Sequence, residues 1–550
     1  MALAVACGLA VPGVVSAQAV YPPLRINPRP PGDTTPYYGG AIDGALFPRS
    51  EVVAATTKGG SPTEVLYAII FNLGADFPYT GTLTVPPNSD NPALAHPAVR
   101  FTQSAGIRQF WLGASGVKPD ATTGVYVAKR DLDTFEFEDA VTAVEHSAAL
   151  PAVSRPVFPA FPFDADLYVS YVESLGGCCS GCPAEPPSAF GRRSPDFGQN
   201  WSGFQVKPPV PPTPCDYRGR GPAVVTGTGN ALIVAAADVD VRALGAPDPD
   251  WLNNEGRPFV TRSTDQGASW TQQPITIGEG FGIAPPQPGD AIAIDGGEFL
   301  PYIAIRRRNN APDIVHVLFA ARETPESGDL DLYLATSFDA GATFENQDIL
   351  HLTDIKLHGI DALPEGPDQI PAGLAVDSCG GVHILWYDTF GTSPTPPEVD
   401  LHVYWAFIDE TQIGLPDPQI VVERLTTQAF TAGTMASPVF LGERQGLATV
   451  QRGFGGLWVY ACYAMVEEGL VNTYVSRVHW GNVCTTGGMI TASADFNADG
   501  QVSGDDAAFY TAAWAAGDPA AADMTDDGEV GADDLLIYFD IYEQATSGNE

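Results

Sequence analysis

Positive charge is what this chain has least of. Lys and Arg total 27 against 66 Asp and Glu, a formal net charge of −39, and only five of the bases are lysines, at 58, 118, 129, 207 and 356. Such a surface repels phosphate backbones and anionic lipid, which argues against a nucleic-acid partner and favours divalent cations. Long apolar runs are also missing beyond the first twenty residues, so no later stretch reads as a membrane span. Charged residues of either sign make up 17%, too few for solvated helical bundles. Gly 58 and Pro 49 stand in their place and suit many short strands joined by turns.

Residues 2 to 15 are almost wholly apolar and lead into Val15-Ser16-Ala17-Gln18-Ala19, small residues at the spacing that a signal peptidase reads. Residues 1–19 are therefore expected to be a signal peptide, although no Lys or Arg follows Met1. Cys7 raises a lipoprotein alternative, against which Ala4 stands where such a signal wants a larger aliphatic. A secreted or cell-surface location is the expectation. Seven cysteines then remain, of which Cys178, Cys179, Cys182 and Cys215 share one Pro- and Gly-rich excursion. Disulfides are the favoured reading in an exported chain, and a four-thiolate zinc site is the alternative.

One short pattern occurs three times: Ser194-Pro-Asp196-Phe-Gly198-Gln-Asn-Trp201, Ser263-Thr-Asp265-Gln-Gly267-Ala-Ser-Trp270 and Ser337-Phe-Asp339-Ala-Gly341-Ala-Thr-Phe344. Ser and Asp can bond the backbone of a tight turn, Gly permits positive φ, and the aromatic can plug back into a sheet. The copies lie 69 and 74 residues apart, a repeat on the scale of one four-stranded unit. Short openings recur at similar intervals: His96-Pro-Ala-Val99, Leu150-Pro-Ala-Val153, Gly221-Pro-Ala-Val224, Gly289-Asp-Ala-Ile292, Ile370-Pro-Ala-Gly373 and Ala436-Ser-Pro-Val439. The turn pattern resembles the Asp-boxes of sialidase-like (BNR-repeat) β-propellers. Six openings point to a six-bladed propeller over residues 51–482. Seven blades is the alternative, with residues 51 to 73 supplying a hairpin of their own. Residues 20–50 read as a Pro-rich extended lead, and 483–492 as a linker.

The spacing aims the aspartates of these boxes at their own turns and makes them structural. In sialidases, catalysis belongs to three arginines that grip the substrate carboxylate, a Tyr–Glu pair and an Asp acid. None of these is placed by the sequence. Leu24-Arg25-Ile26-Asn27 departs from the family's arginine strand, and Arg306-Arg307-Arg308, alternating along a strand, would not converge on one anion. Weaker candidates are Tyr460, Tyr463, Tyr474 and Arg477, all more easily read as core or rim residues. Trp386 and Trp405 are possible sugar-stacking rings, and His351, Asp354, His358 and Asp361 a possible metal loop.

The strongest chemistry lies in the tail. Asp495, Asn497, Asp499, Gln501, Ser503 and Asp506 fall at positions 1, 3, 5, 7, 9 and 12 of one loop, with Gly500 at the sharp sixth position. Asp523, Thr525, Asp527, Glu529 and Asp534 repeat the arrangement 28 residues later, with Gly531 at the ninth position. Side chains at 1, 3, 5, 9 and 12 and the carbonyl at 7 supply the hard oxygens that Ca2+ takes. Each loop runs into an apolar segment with helical spacing. The tandem loops, Asp instead of Glu at position 12, and the absence of a preceding helix resemble a type I dockerin over residues 493–545. That resemblance implies a small α-helical, EF-hand-like domain that folds on two Ca2+ ions and docks onto a cohesin-like domain, with Asp505 and Asp533 near the partner-selecting surface. The whole reads as an all-β propeller with a calcium-binding tail. Two functions follow: an extracellular glycoside hydrolase of polysaccharide catabolism, or a non-catalytic propeller that binds glycan or protein.

Overall fold

In the computed structural model the described residues run in stretches between 19 and 480, and include 504–516 and positions 531, 535, 538, 539 and 542. Among them are six four-stranded antiparallel sheets and one of five strands, each built mainly from consecutive strands, the fifth strand of that one being Phe430–Thr431. They comprise residues 37–82, 93–146, 153–206, 217–276, 302–351, 369–424 and 446–480. The last sheet takes its fourth strand from the other end of the chain, where Ala19–Arg25 pairs with Leu470–Trp480. The first strand of each sheet packs against the first strand of the next, and Gly446–Arg452 of the seventh packs against Tyr37–Gly44 of the first. The sheets thus form a closed ring with their first strands innermost, which is a β-propeller.

Seven such sheets lie among the described residues, where the repeated openings number six. His96-Pro97, Gly221-Pro222 and Pro371-Ala372 mark register shifts partway along the innermost strands. Pro has no N–H for the ladder, so the strand bulges there. In the first sheet Gly39-Gly40 occupies the same shift, and no proline announces it. The opening Ser437-Pro438 instead joins a separate two-stranded pairing with Gly433–Thr434. Gly289-Asp-Ala-Ile292 lies outside the described residues.

The stretch expected to be an extended lead also differs. Ala19–Arg25 and Tyr37–Gly44 are strands of the ring. Pro22-Pro23 is tolerated because it falls at a register shift between Tyr21 and Leu24 on the outermost strand, where one edge carries no ladder bonds.

The apolar cores lie between sheets. Ile314–Ala321 is buried at every position because both of its faces meet a neighbouring sheet. Its Leu318 packs with Ile384, Trp386 and Tyr404 of the sixth sheet, while Val317 and Phe319 join the core that reaches Val260 of the fourth. The first and second sheets share Val53, Tyr67, Ile69, Phe110 and Tyr126, and the seventh and first share Ile42, Val52, Ile70, Trp458 and Tyr460. The described residues include one α-helix, α1 (Gly504–Ala515).

Candidate functional site

The three repeated turns join the third and fourth strands of the third, fourth and fifth sheets, and their chemistry is the same in each. The Ser194 hydroxyl donates to Asp196 Oδ1 at 2.8 Å, while Asn200 donates its backbone N–H to Oδ1 at 2.8 Å and its amide to Oδ2 at 2.6 Å. Ser263 and Ser269 treat Asp265 in the same way, at 2.8 Å and 2.7 Å to Oδ1. Asp339 accepts from Ser337 at 2.6 Å, from the N–H groups of Ala342 and Thr343 at 3.0 and 2.9 Å, and from the Thr343 hydroxyl at 2.7 Å. Both oxygens of every carboxylate are thus engaged within their own turn. Gly341 adopts a φ of 78°, and Phe344 is buried in the core below. Trp201 packs against the core shared by the second and third sheets. Gly198, Gly267 and Trp270 lie outside the described residues.

Hydrogen-bond donors favour the ionised form of such a carboxylate. The Ser269 side chain is the chief cause that lowers Asp265 to about 2, and the Asn200 side chain chiefly lowers Asp196. At Asp339 burial pushes upward, but the Ser337 and Thr343 bonds prevail and the carboxyl is lowered. Asp339→Ala should therefore destabilise by about 1–2 kcal/mol, a few degrees of melting temperature. A thermal melt with glycan binding measured alongside checks this: altered binding at unchanged stability would give Asp339 a direct functional role.

The arginine run is dispersed, as strand alternation requires. Arg306 pairs with Glu410 of the sixth sheet. Arg307 is lowered to about 10 by burial and by the charge of Arg100 from the second sheet, with Asp313 opposing. Arg308 turns back to donate from Nε to the Pro312 carbonyl at 2.7 Å. Arg25 sits on the outermost closing strand, 3.6 Å from Glu467. Arg100 itself approaches Asp43 at 3.3 Å. Among the described residues these contacts do not bring three arginines onto one point.

The aromatic candidates are buried. Trp386 stacks on Tyr404 at 5.5 Å, and Trp405 is fully enclosed and stacks on His383 at 5.8 Å. Tyr463 shares a hydrogen bond of 2.7 Å with Ser476, and Tyr474 donates to Glu467 at 2.5 Å. Tyr460 and Arg477 are buried beside them. His351 faces Asp331 at 3.5 Å and stacks on Tyr333 at 4.6 Å, while Asp354, His358 and Asp361 lie outside the described residues.

Two fully buried histidines carry polar contacts that sequence reasoning missed. His316 and His383 each occupy the third position of a second strand, in Ile314-Val-His316-Val and Gly381-Val-His383-Ile. A polar residue at the same place in two apolar runs was the available signal. His316 Nδ1 lies 2.9 Å from the Thr336 hydroxyl. His383 Nε2 lies 3.0 Å from Asp377 Oδ2, and Asp377 Oδ1 accepts from the N–H groups of Cys379 and Gly381 at 2.7 and 2.8 Å. This arrangement ties the first strand of the sixth sheet to its second. Burial pushes the Asp377 carboxyl upward, but these bonds, led by His383, hold it below the usual range.

Cys379 is disulfide-bonded and Cys462 is a free, buried thiol. Cys178, Cys179, Cys182 and Cys215 lie outside the described residues. Among the described residues no group of three or more His, Cys, Asp and Glu could hold a metal.

In the tail, Asp495, Asn497, Asp499, Gln501, Ser503, Asp523, Thr525, Asp527, Glu529 and Asp534 lie outside the described residues, whereas Asp506 and Gly531 are described. Asp506, in the first turn of α1, is fully buried. Tyr510 and Tyr538 stack face to face at 3.9 Å with planes 9° apart, and both are fully buried. Ala507, Ala513, Trp514, Leu535 and Tyr542 pack around them. The two tyrosines are 28 residues apart, the period of the loops themselves.

No protein-family model matches the chain, and no curated protein matches it. It is similar to several solved structures. An α-L-arabinanase of Penicillium chrysogenum, complexed with arabinobiose, shares 12% identity at a TM-score of 0.42, covering 84% of this chain and 99% of that one. The α-L-arabinofuranosidase of Fusarium graminearum, also with arabinobiose, shares 10% at 0.42 over 84% and 98%. Trypanosoma rangeli sialidase with the inhibitor DANA shares 10% at 0.37 over 72% and 56%.

Proposed function

We propose that the chain is an exported two-module protein in which a calcium-dependent, dockerin-like tail tethers a sialidase-like, seven-bladed propeller that acts on extracellular glycan. The observation that carries the tethering half is the Tyr510–Tyr538 pair. Two sequence repeats of one period put equivalent residues into a single shared core, as a paired-loop module requires and an acidic solvated tail does not.

The residues present fit Ca2+. Asp506 is an acidic side chain withdrawn from water at loop position 12, where a carboxylate needs strong compensation. Asp495, Asn497, Asp499, Ser503 and Asp506 would supply side chains to the first ion, with the carbonyl of Gln501. Asp523, Thr525, Asp527 and Asp534 would do so for the second, with the carbonyl of Glu529. Calcium would supply the charge that lets these acids fold together, and a cohesin-like domain is the partner proposed for the folded tail. The disulfide at Cys379 supports passage through an oxidising compartment. No helix among the described residues is long and apolar enough to cross a membrane.

Calcium added to the chelator-treated full chain is expected to release heat and raise helical circular dichroism. If it does neither, the tail reading fails. For the propeller, glycoside hydrolysis is one reading, and glycan or protein binding without catalysis is the other. The divergence of Arg306, Arg307 and Arg308 favours the second, while a dockerin-like tail, which usually accompanies carbohydrate-active enzymes, favours the first. A scan of fluorogenic glycosides, arabinofuranosides and sialosides among them, separates the two: turnover establishes an enzyme, whereas glycan binding without turnover leaves a binding module.

A further inference from the structure

Four innermost strands bulge at one recurrent place, and the residues found there differ. Register shifts set two residues against one of the second strand: Gly39-Gly40 in the first sheet, His96-Pro97 in the second, Arg155-Pro156 in the third and Gly221-Pro222 in the fourth. One class of bulge turns its first residue left-handed and takes glycine there, as Gly39 shows with a φ of 62°. His96 holds the same conformation, with a φ of 53°. Glycine adopts it without cost, whereas a side chain brings its Cβ too close to the following carbonyl. Pro97 adds to the conflict, because the residue before a proline is pushed towards extended backbone. The conformation is pinned by the neighbouring sheet, where the Thr57 hydroxyl accepts from the His96 N–H at 3.2 Å. A place suited to glycine therefore carries an imidazole.

Strain of this kind persists where a side chain does something that glycine cannot. The position fits such a role. A turn between third and fourth strands falls at the end where the first strand finishes, so the innermost strands begin at the end of the ring opposite the Asp-box turns. His96 is the fourth residue of Ala93–Ser104, near that beginning, and is half-buried. Arg155 stands at the equivalent register position of the adjoining innermost strand. An imidazole can donate from one nitrogen and accept at the other, which matches a sugar hydroxyl that does both. We propose that His96 is a ligand-contacting residue of the propeller, hydrogen-bonded to a glycan hydroxyl at the end of the ring opposite the Asp-box turns. The inference rests on the glycan-acting reading of the propeller.

The test uses the full chain, with arabinobiose, xylobiose, cellobiose and sialyllactose as probes, calorimetry for affinity and the matching fluorogenic glycosides for turnover. His96→Gly removes the strain and the imidazole together. It is expected to melt no lower than the unsubstituted chain, yet to bind or turn over its glycan about three- to tenfold less well, the equivalent of one hydrogen bond. His96→Ala keeps a Cβ in the left-handed conformation, so it should show the same functional loss and melt about 1–3 °C below His96→Gly. A His96→Gly chain that melts lower than the unsubstituted one would make the imidazole a structural group and overturn the proposal. Unchanged affinity and turnover in both variants would overturn it as well, while leaving the glycan reading in place. An unsubstituted chain that neither binds nor turns over any probe overturns the glycan reading and this inference together.

Discussion

A chain that begins at residue 27 is expected to lose roughly 5–10 °C of melting temperature and to associate at concentrations where the complete ring stays monomeric. The segment removed is the fourth strand of the seventh sheet. Its partners on Leu470–Trp480 run from Ala19 opposite His479 to Arg25 opposite Tyr474. Ile26, just beyond the strand, is fully buried, and its N–H donates to the Thr473 carbonyl at 3.0 Å. Burying one such side chain contributes about 1.5–3 kcal/mol, and Val20 and Leu24 leave with it. More consequential is the edge left behind, because the strand Leu470–Trp480 would lose its partners from Thr473 to His479 and present that edge unpaired. Calorimetry compares the shortened and complete chains, and a synthetic peptide of residues 19–27 is expected to restore most of the difference. An unchanged melt would mean that the ring closes without this strand.

That strand also shows where a sequence stops being legible. The repeated turns were readable because their chemistry is local: Ser337, Asp339, Gly341 and Thr343 satisfy one another within seven residues. The number of sheets was less legible, because only three of the repeated openings fall at inner-strand bulges, and Gly39-Gly40 makes its bulge without a proline. Pro22-Pro23 suggested extended surface chain, whereas the outer edge of a sheet accommodates two prolines at a register shift. Ring closure joins residues more than 440 positions apart, which no local pattern reports.

The candidate site divides along the same line. Alternation alone disperses the arginine run, and in the fold Arg306 goes to Glu410 and Arg308 to Pro312. Trp386 and Trp405 occupy adjacent strands, and only the packing of neighbouring sheets decides that both are covered. The period of the acidic loops was visible in sequence, but the inward stack of Tyr510 and Tyr538 was not, since their spacing equals the repeat and would suit outward residues as well.

Acid should destabilise the ring through His316 more than through any single turn. The imidazole is fully buried, one nitrogen faces Thr336, and Nε2 has no partner among the described residues. Burial, and after it the charge of Arg306, lowers it from 6.5 to about 3. An imidazolium at that place would hold an N–H with nothing to accept it. The sign follows from linkage. The folded protein keeps His316 neutral down to about pH 3, whereas the unfolded chain takes up a proton below about 6.5. The stabilising contribution is therefore complete above pH 6.5 and is lost as the pH falls from 6.5 towards 3. Each pH unit in that window removes on the order of 1.4 kcal/mol, so about 3 kcal/mol is gone at pH 4. The lowered carboxylates Asp265, Asp339 and Asp377 also weaken the fold in acid, at pH values below their unfolded range, so the discriminating quantity is a difference between variants. His316→Gln is expected to cost about 1 kcal/mol at pH 7, where the Thr336 contact is disturbed, and to flatten the loss of stability between pH 6.5 and 4 by one proton's worth. Denaturant unfolding at each pH, with the two proteins compared, measures that slope directly. Parallel slopes for the two proteins would show that His316 takes up no proton on unfolding and would remove it as the acid-sensitive element of the ring.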